Sequence, residues 1–157
     1  MQVKDIVMED FCNYKKPSMF ILFPKCTFKC EIECGKKICQ NSPLVKAPTV
    51  DIELCKLVRR YMADPITEAV VCGGLEPFDS YDDLVELVDA FRKYTDDDIV
   101  IYTGYTEPEI YQELEALRQY KNIIIKFGRF IPDVVSRFDE TLGIELASEN
   151  QYAERIS

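Results

Sequence analysis

This sequence predicts an α/β fold: a partial (βα) barrel, open along one side, on a parallel sheet of about five strands. Three observations carry that expectation. Apolar runs of strand length alternate with amphipathic stretches of helix length, as in right-handed βαβ units around a parallel sheet. The residues suited to chemistry fall just after those runs, where such sheets gather their sites. The chain has 157 residues, whereas a closed eight-unit barrel takes about 250. With no repeat, low-complexity stretch or linker, a single domain over residues 1–157 is expected.

Residues 17–23, Pro-Ser-Met-Phe-Ile-Leu-Phe, form a first strand that stops at Pro24. Residues 50–63 predict a helix, capped by Thr49 or Asp51, with Ile52, Cys55, Val58 and Met62 on its inner face. Residues 66–72 are the next strand, ended by Gly73-Gly74. Ser80 and Asp83 stand at capping-box spacing ahead of a helix whose inner face is Leu84, Leu87, Val88 and Phe91. Strand 98–102 follows. Thr106 and Glu109 make a second capping box, before a helix carrying Ile110, Leu114 and Leu117. Ile123-Ile124-Ile125 is the fourth strand, and residues 144–147 are a fifth.

Composition narrows the function. Nineteen basic against twenty-eight acidic residues give a net charge of -9 and a pI near 4.6, which argues against nucleic acid as the main partner. There is no histidine, so every His-dependent triad and every His-ligated metal site is excluded. No stretch approaches the roughly 20 apolar residues that span a bilayer. A soluble, cytoplasmic protein without membrane partners is expected.

Seven cysteines in such a compartment are not disulfide staples. Cys12, Cys55 and Cys72 are scattered and predict small buried hydrophobes. Cys26, Cys30, Cys34 and Cys39 crowd one loop, where free thiols would oxidise readily unless held. Zinc sites pair cysteines two to four residues apart in two separated knuckles. A single run without a second knuckle favours an iron–sulfur cluster over zinc. Cys34 and Cys39 both remain open as the third ligand beside Cys26 and Cys30.

Cys26-Thr-Phe-Lys-Cys30, Cys39-Gln40-Asn41 and Gly73-Gly74-Leu75-Glu76-Pro77 together resemble the radical S-adenosylmethionine enzymes. Tyr102-Thr103-Gly104-Tyr105, Gly128-Arg129-Phe130-Ile131-Pro132 and Ala147-Ser148-Glu149-Asn150-Gln151 narrow the likeness to the anaerobic ribonucleotide reductase-activating proteins. It runs from about residue 17 to the C-terminus, in the family's motif order. The resemblance implies a [4Fe-4S] cluster on three cysteines, with S-adenosyl-L-methionine at the fourth iron. It also implies reductive cleavage to a 5′-deoxyadenosyl radical and a glycyl radical installed on a partner enzyme. The sequence departs from the family twice: its cysteines are more widely spaced than Cys, three residues, Cys, two residues, Cys, and Leu75 interrupts Gly-Gly-Glu-Pro.

The resemblance favours Cys39 as the third ligand, because the family sets an apolar residue before that cysteine and often an Asn two after it, as Ile38 and Asn41 do here. Gly73, Gly74 and Glu76 would meet the methionyl ammonium, the two glycines by leaving backbone open to close approach. Thr103 and Gly104 would contact the ribose or carboxylate, and Asn150 with Gln151 would close over the adenosyl end. The partner implied is a glycyl-radical enzyme akin to an anaerobic ribonucleotide reductase, with Gly128 to Asp139 and the tail through Ser157 as its docking rim. Residues 14–39 hold Lys15, Lys16, Lys25, Lys29, Lys36 and Lys37 against Glu31 and Glu33, a basic rim suited to an acidic one-electron donor such as a flavodoxin. The alternatives are a compact radical enzyme acting on a small molecule, of the deazapurine type, and a non-catalytic iron–sulfur or zinc protein.

Overall fold

The computed structural model describes residues 1–157. The strands are β1 (Gln2–Val3), β2 (Asp5–Asp10), β3 (Ser18–Phe23), β4 (Val50–Asp51), β5 (Ala69–Gly74), β6 (Asp98–Tyr102), β7 (Ile123–Phe127), β8 (Arg137–Asp139), β9 (Ile144–Leu146) and β10 (Tyr152–Arg155). The α-helices are α1 (Lys29–Cys34), α2 (Leu54–Ala63), α3 (Tyr81–Arg92) and α4 (Tyr111–Leu117). Six strands form one mixed sheet in the order β10-β7-β6-β5-β3-β2. The four inner strands are parallel, and β2 and β10 pair antiparallel at two open edges.

The inner strands are buried on both faces, which is why they read as continuous apolar runs. Alternate residues divide between the faces. Met19, Ile21, Phe23, Val70, Cys72, Ile99, Ile101, Ile123, Ile125 and Phe127 pack with the inner faces of α2, α3 and α4 in the main core. Ala69, Val71, Val100 and Ile124 face the other way, against Tyr14, Leu142 and Leu146. On that second face Leu22 pairs with Gly73 and Tyr102 with Lys126, one step below the loops that follow the strands.

Several elements lie elsewhere than the sequence suggests. Val50 and Asp51 extend to pair with Gln2 and Val3, so neither Thr49 nor Asp51 caps a helix. Helix α2 starts at Leu54 behind Glu53 and buries Leu57, Val58 and Tyr61, while Cys55 and Met62 are exposed. Leu57 and Val58 stand four and three residues before Tyr61, so the three share the inward face. Residues 144–146 pair with β8 outside the main sheet, whose edges are instead β2 and β10. Of the scattered cysteines, Cys72 is buried as expected; Cys12 joins Cys55 at the surface.

Thr106 and Glu109 do form a capping box, at a short 3-10 turn leading into α4. Ser80 does not cap α3. The helical run begins earlier, at Pro77, and Glu76 takes the cap by accepting from the Phe78 N–H at 3.2 Å. Ser80 is left buried with its hydroxyl unpartnered. Ser80→Ala is therefore expected to leave stability unchanged or raise it by up to about 1 kcal/mol in urea denaturation, where loss of a working cap would cost about that much.

At the opposite end of the sheet from the cysteine loop, buried Asp98 opens β6 and accepts from Tyr14, Lys16 and Arg155 at 2.7–2.9 Å. Lys16 thus belongs to the far end of the sheet. The exposed basic residues of the cysteine loop are Lys25, Lys29, Lys36 and Lys37. No helix is long and apolar enough to cross a membrane.

Candidate metal centre

The loop after β3 carries the cysteine cluster. Phe28, at φ 55, and Gly35, at φ 67, bracket α1 in the left-handed region, which confines it to six residues. Cys26 Sγ accepts the Phe28 N–H at 3.2 Å, and Cys30 follows in the first turn of α1. Glu31 accepts the Cys39 backbone N–H at 3.0 Å, which folds the end of the loop back on the helix. Cys26, Cys30 and Cys39 are all half-buried and line one cavity of about 430 Å³. Cys34 is exposed, and its thiol donates outward to the carbonyls of Lys36 at 3.3 Å and Glu31 at 3.9 Å. Burial pushes the Cys26 thiol up to about 12, and burial together with Cys39 raises Cys30.

The loops after β5, β6 and β7 supply the other walls. Gly73, Gly74, Glu76, Thr103, Gly104 and Asn41 all line the cavity, with Gln151 opposite. The two glycines do more than leave room for a ligand. A Cβ on Gly73 would meet the Phe20 ring at 2.8 Å, and one on Gly74, at φ 79, would meet Leu22 Cα at 2.9 Å. Close packing of β5 on β3 requires both. The Asn41 amide donates to the Gly74 carbonyl at 2.7 Å, so the end of the cysteine loop is tied directly to the glycine turn.

Glu76 is the hub of these loops. Its carboxylate accepts from Thr103 Oγ1 at 2.8 Å and from the Gly104 N–H at 2.8 Å, besides the Phe78 N–H. Burial pushes it up to about 7 against the pull of these donors. Thr103 and Gly104 therefore direct their donors to Glu76. Ile38 is half-buried and Asn150 exposed; both lie outside the lining, and the Asn150 amide turns onto the Arg129 carbonyl at 2.9 Å.

Two residues of the site are not singled out by the sequence, although one of them lies within the Gly128–Pro132 motif. Arg129 grips Glu109 with both terminal nitrogens, at 2.9 and 2.6 Å, and its Nε lies 3.1 Å from Glu33 on α1. This holds the cysteine helix against the sheet. Glu109 is held far below the usual carboxylate range by Arg129. Lys126 is the other: a lone charge in the apolar run of β7, which was the signal available.

The donor set suits a cluster. No group of three or more Cys, Asp or Glu side chains stands in ready metal-holding geometry. Three thiols spread around a cavity fit a polynuclear group, in which each binds a different iron. A short thiol-bearing loop thus stands over the C-terminal ends of the parallel strands of an α/β sheet. The model of a family described as a 4Fe-4S single cluster domain matches residues 18–152. The chain belongs to that family. No curated protein and no solved structure matches it.

Proposed function

We propose that this iron–sulfur protein is a radical S-adenosylmethionine enzyme that installs a glycyl radical on a partner, an anaerobic ribonucleotide reductase or a close analogue. The observation that carries this reading is the meeting of Cys26, Cys30 and Cys39 with the Gly73-Gly74 turn and Glu76 around one cavity. The chemistry that a bound cluster supplies is one-electron reduction of S-adenosylmethionine, splitting its S–C5′ bond into methionine and a 5′-deoxyadenosyl radical. In this reading Cys26, Cys30 and Cys39 hold the cluster, and the chain's other residues bind and orient the cofactor. In this reading the glycine turn sets its backbone beside the methionyl ammonium, and Glu76, engaged by Phe78, Thr103 and Gly104, holds the loops in place around it. Phe20, Tyr102 and Leu146 line the same cavity and would give a bound cofactor apolar wall.

The sheet's open edges go with this reading of the fold as a partial, laterally open barrel, and with a partner's glycine loop completing the enclosure. Lys25, Lys29, Lys36 and Lys37 offer a basic approach for an acidic electron donor such as a flavodoxin.

The test is anaerobic. S-adenosylmethionine added to the reduced, reconstituted protein should change the cluster's EPR spectrum. Slow release of methionine and 5′-deoxyadenosine is expected from the protein alone, and stoichiometric glycyl radical with the cognate partner. An unchanged spectrum removes the radical-enzyme reading, and rapid turnover of a small metabolite by the isolated chain replaces the partner with that metabolite.

A further inference from the structure

The cavity is lined by two cations, and they differ in kind. Arg129 is already neutralised by Glu109 and Glu33. Lys126 is not paired with any carboxylate. It projects from the penultimate position of β7 on the face away from the helices, beside Tyr102, and is 7% exposed. Its Nζ donates one hydrogen bond, to the Gly128 carbonyl at 3.1 Å. The Tyr102 ring stands 5.8 Å from Nζ, and of the three donors of the ammonium two remain without a protein oxygen or nitrogen acceptor.

Glu76 is the one carboxylate whose charge acts on Lys126, and its oxygens already serve Phe78, Thr103 and Gly104. Burial pulls Lys126 down to about 8, and the Glu76 charge works the other way. A buried cation without a counter-ion destabilises a fold, and an apolar residue of the same size would be tolerated better. Such a group in a cavity wall is explained by what enters the cavity.

We propose that Lys126 anchors an anionic group, a carboxylate or phosphate, of the molecule that fills this cavity. Lys126 gives that group two free N–H donors, while the amide of Gln151, which shares the Gly128 carbonyl at 3.2 Å, fixes the lysine's own acceptor. The anion has two sources: the single carboxylate of S-adenosylmethionine, or an acidic group on a second ligand lying deeper against the sheet. The anchor itself rests on the cavity's geometry; only the first source rests on the function proposed above.

Lys126→Met and Lys126→Arg separate these cases in the reconstituted full chain, by thermal unfolding and anaerobic titration calorimetry with three probes: inorganic phosphate, S-adenosylmethionine and its decarboxylated form. Without ligand, Lys126→Met should melt at or above the wild-type temperature, because it removes an unpaired buried charge. Phosphate should stabilise the wild type and Lys126→Arg but not Lys126→Met. If S-adenosylmethionine binds Lys126→Met at least about tenfold more weakly while the decarboxylated form is unaffected, the anion is the cofactor's carboxylate. If its binding is unaltered while phosphate protection is lost, the anion belongs to a second ligand. A Lys126→Met protein that melts below wild type and responds to all three probes as wild type does overturns the proposal. A wild type that binds phosphate but no S-adenosylmethionine leaves the anchor standing and removes the cofactor reading.

Discussion

Cys39→Ala is expected to lose the cluster on anaerobic reconstitution, with iron and sulfide falling towards zero, while Cys34→Ala retains both. The two cysteines are equally plausible by spacing, but the fold separates them. Cys39 lines the cavity with Cys26 and Cys30, held there by the bond from its N–H to Glu31. Cys34 is on the last turn of α1 with its thiol turned out to backbone carbonyls. Cys26→Ala and Cys30→Ala should match Cys39→Ala, since a cluster deprived of one of three thiolates has no neighbouring histidine to replace it. Iron and sulfide analysis with the visible absorption spectrum measures this. Retention by Cys39→Ala together with loss by Cys34→Ala would reverse the assignment.

Gly74→Ala is expected to destabilise the fold severely, whatever ligand binds there. The added methyl must sit 2.9 Å from the Leu22 backbone, which cannot rotate away as a side chain tip could. The residue must also keep φ at 79. Left-handed strain of about 1–2 kcal/mol and overpacking of about 1–3 kcal/mol add to a loss of about 2–5 kcal/mol. Gly35→Ala is the control. It has φ 67 but open space around its Cα, so only the backbone cost of about 1–2 kcal/mol applies. Urea denaturation of the two variants should separate them clearly. Equal losses would show that the close approach to Leu22 relaxes at little cost.

The contrast explains what the sequence made legible. Alternation of apolar runs and amphipathic stretches located the four parallel strands, because strands buried on both faces carry unbroken apolar residues. The edge strands went unseen: Asp5–Asp10 is half-exposed and interrupted by charge, and Tyr152–Arg155 is short and polar. Cysteine spacing pointed to the metal loop but not to α1, whose six residues are too few to show a helical period. The glycine pair was visible as a turn, whereas its main constraint, the Phe20 ring and Leu22 backbone behind it, comes from a strand paired across fifty residues of chain. Glu76 was legible as a site residue; that it binds Thr103 and Gly104 is a fact of loop packing alone. Lys126 hid in plain view, since a lysine inside an apolar run is ordinarily read as an edge position.

No residue between positions 24 and 49 is buried. The loop that carries the cysteines contributes no buried residue to either core, and its ties to the rest of the chain include polar ones from Thr27 to Asp79, Glu33 to Arg129 and Asn41 to Gly74. The sheet and its helices can therefore reach their final packing before any iron arrives, and insertion becomes a late step on a finished scaffold. Loss of iron to oxygen or a chelator would then be a local injury. The stripped protein should unfold at nearly the same urea concentration, with faster amide exchange confined to that segment, and stay ready to be refilled.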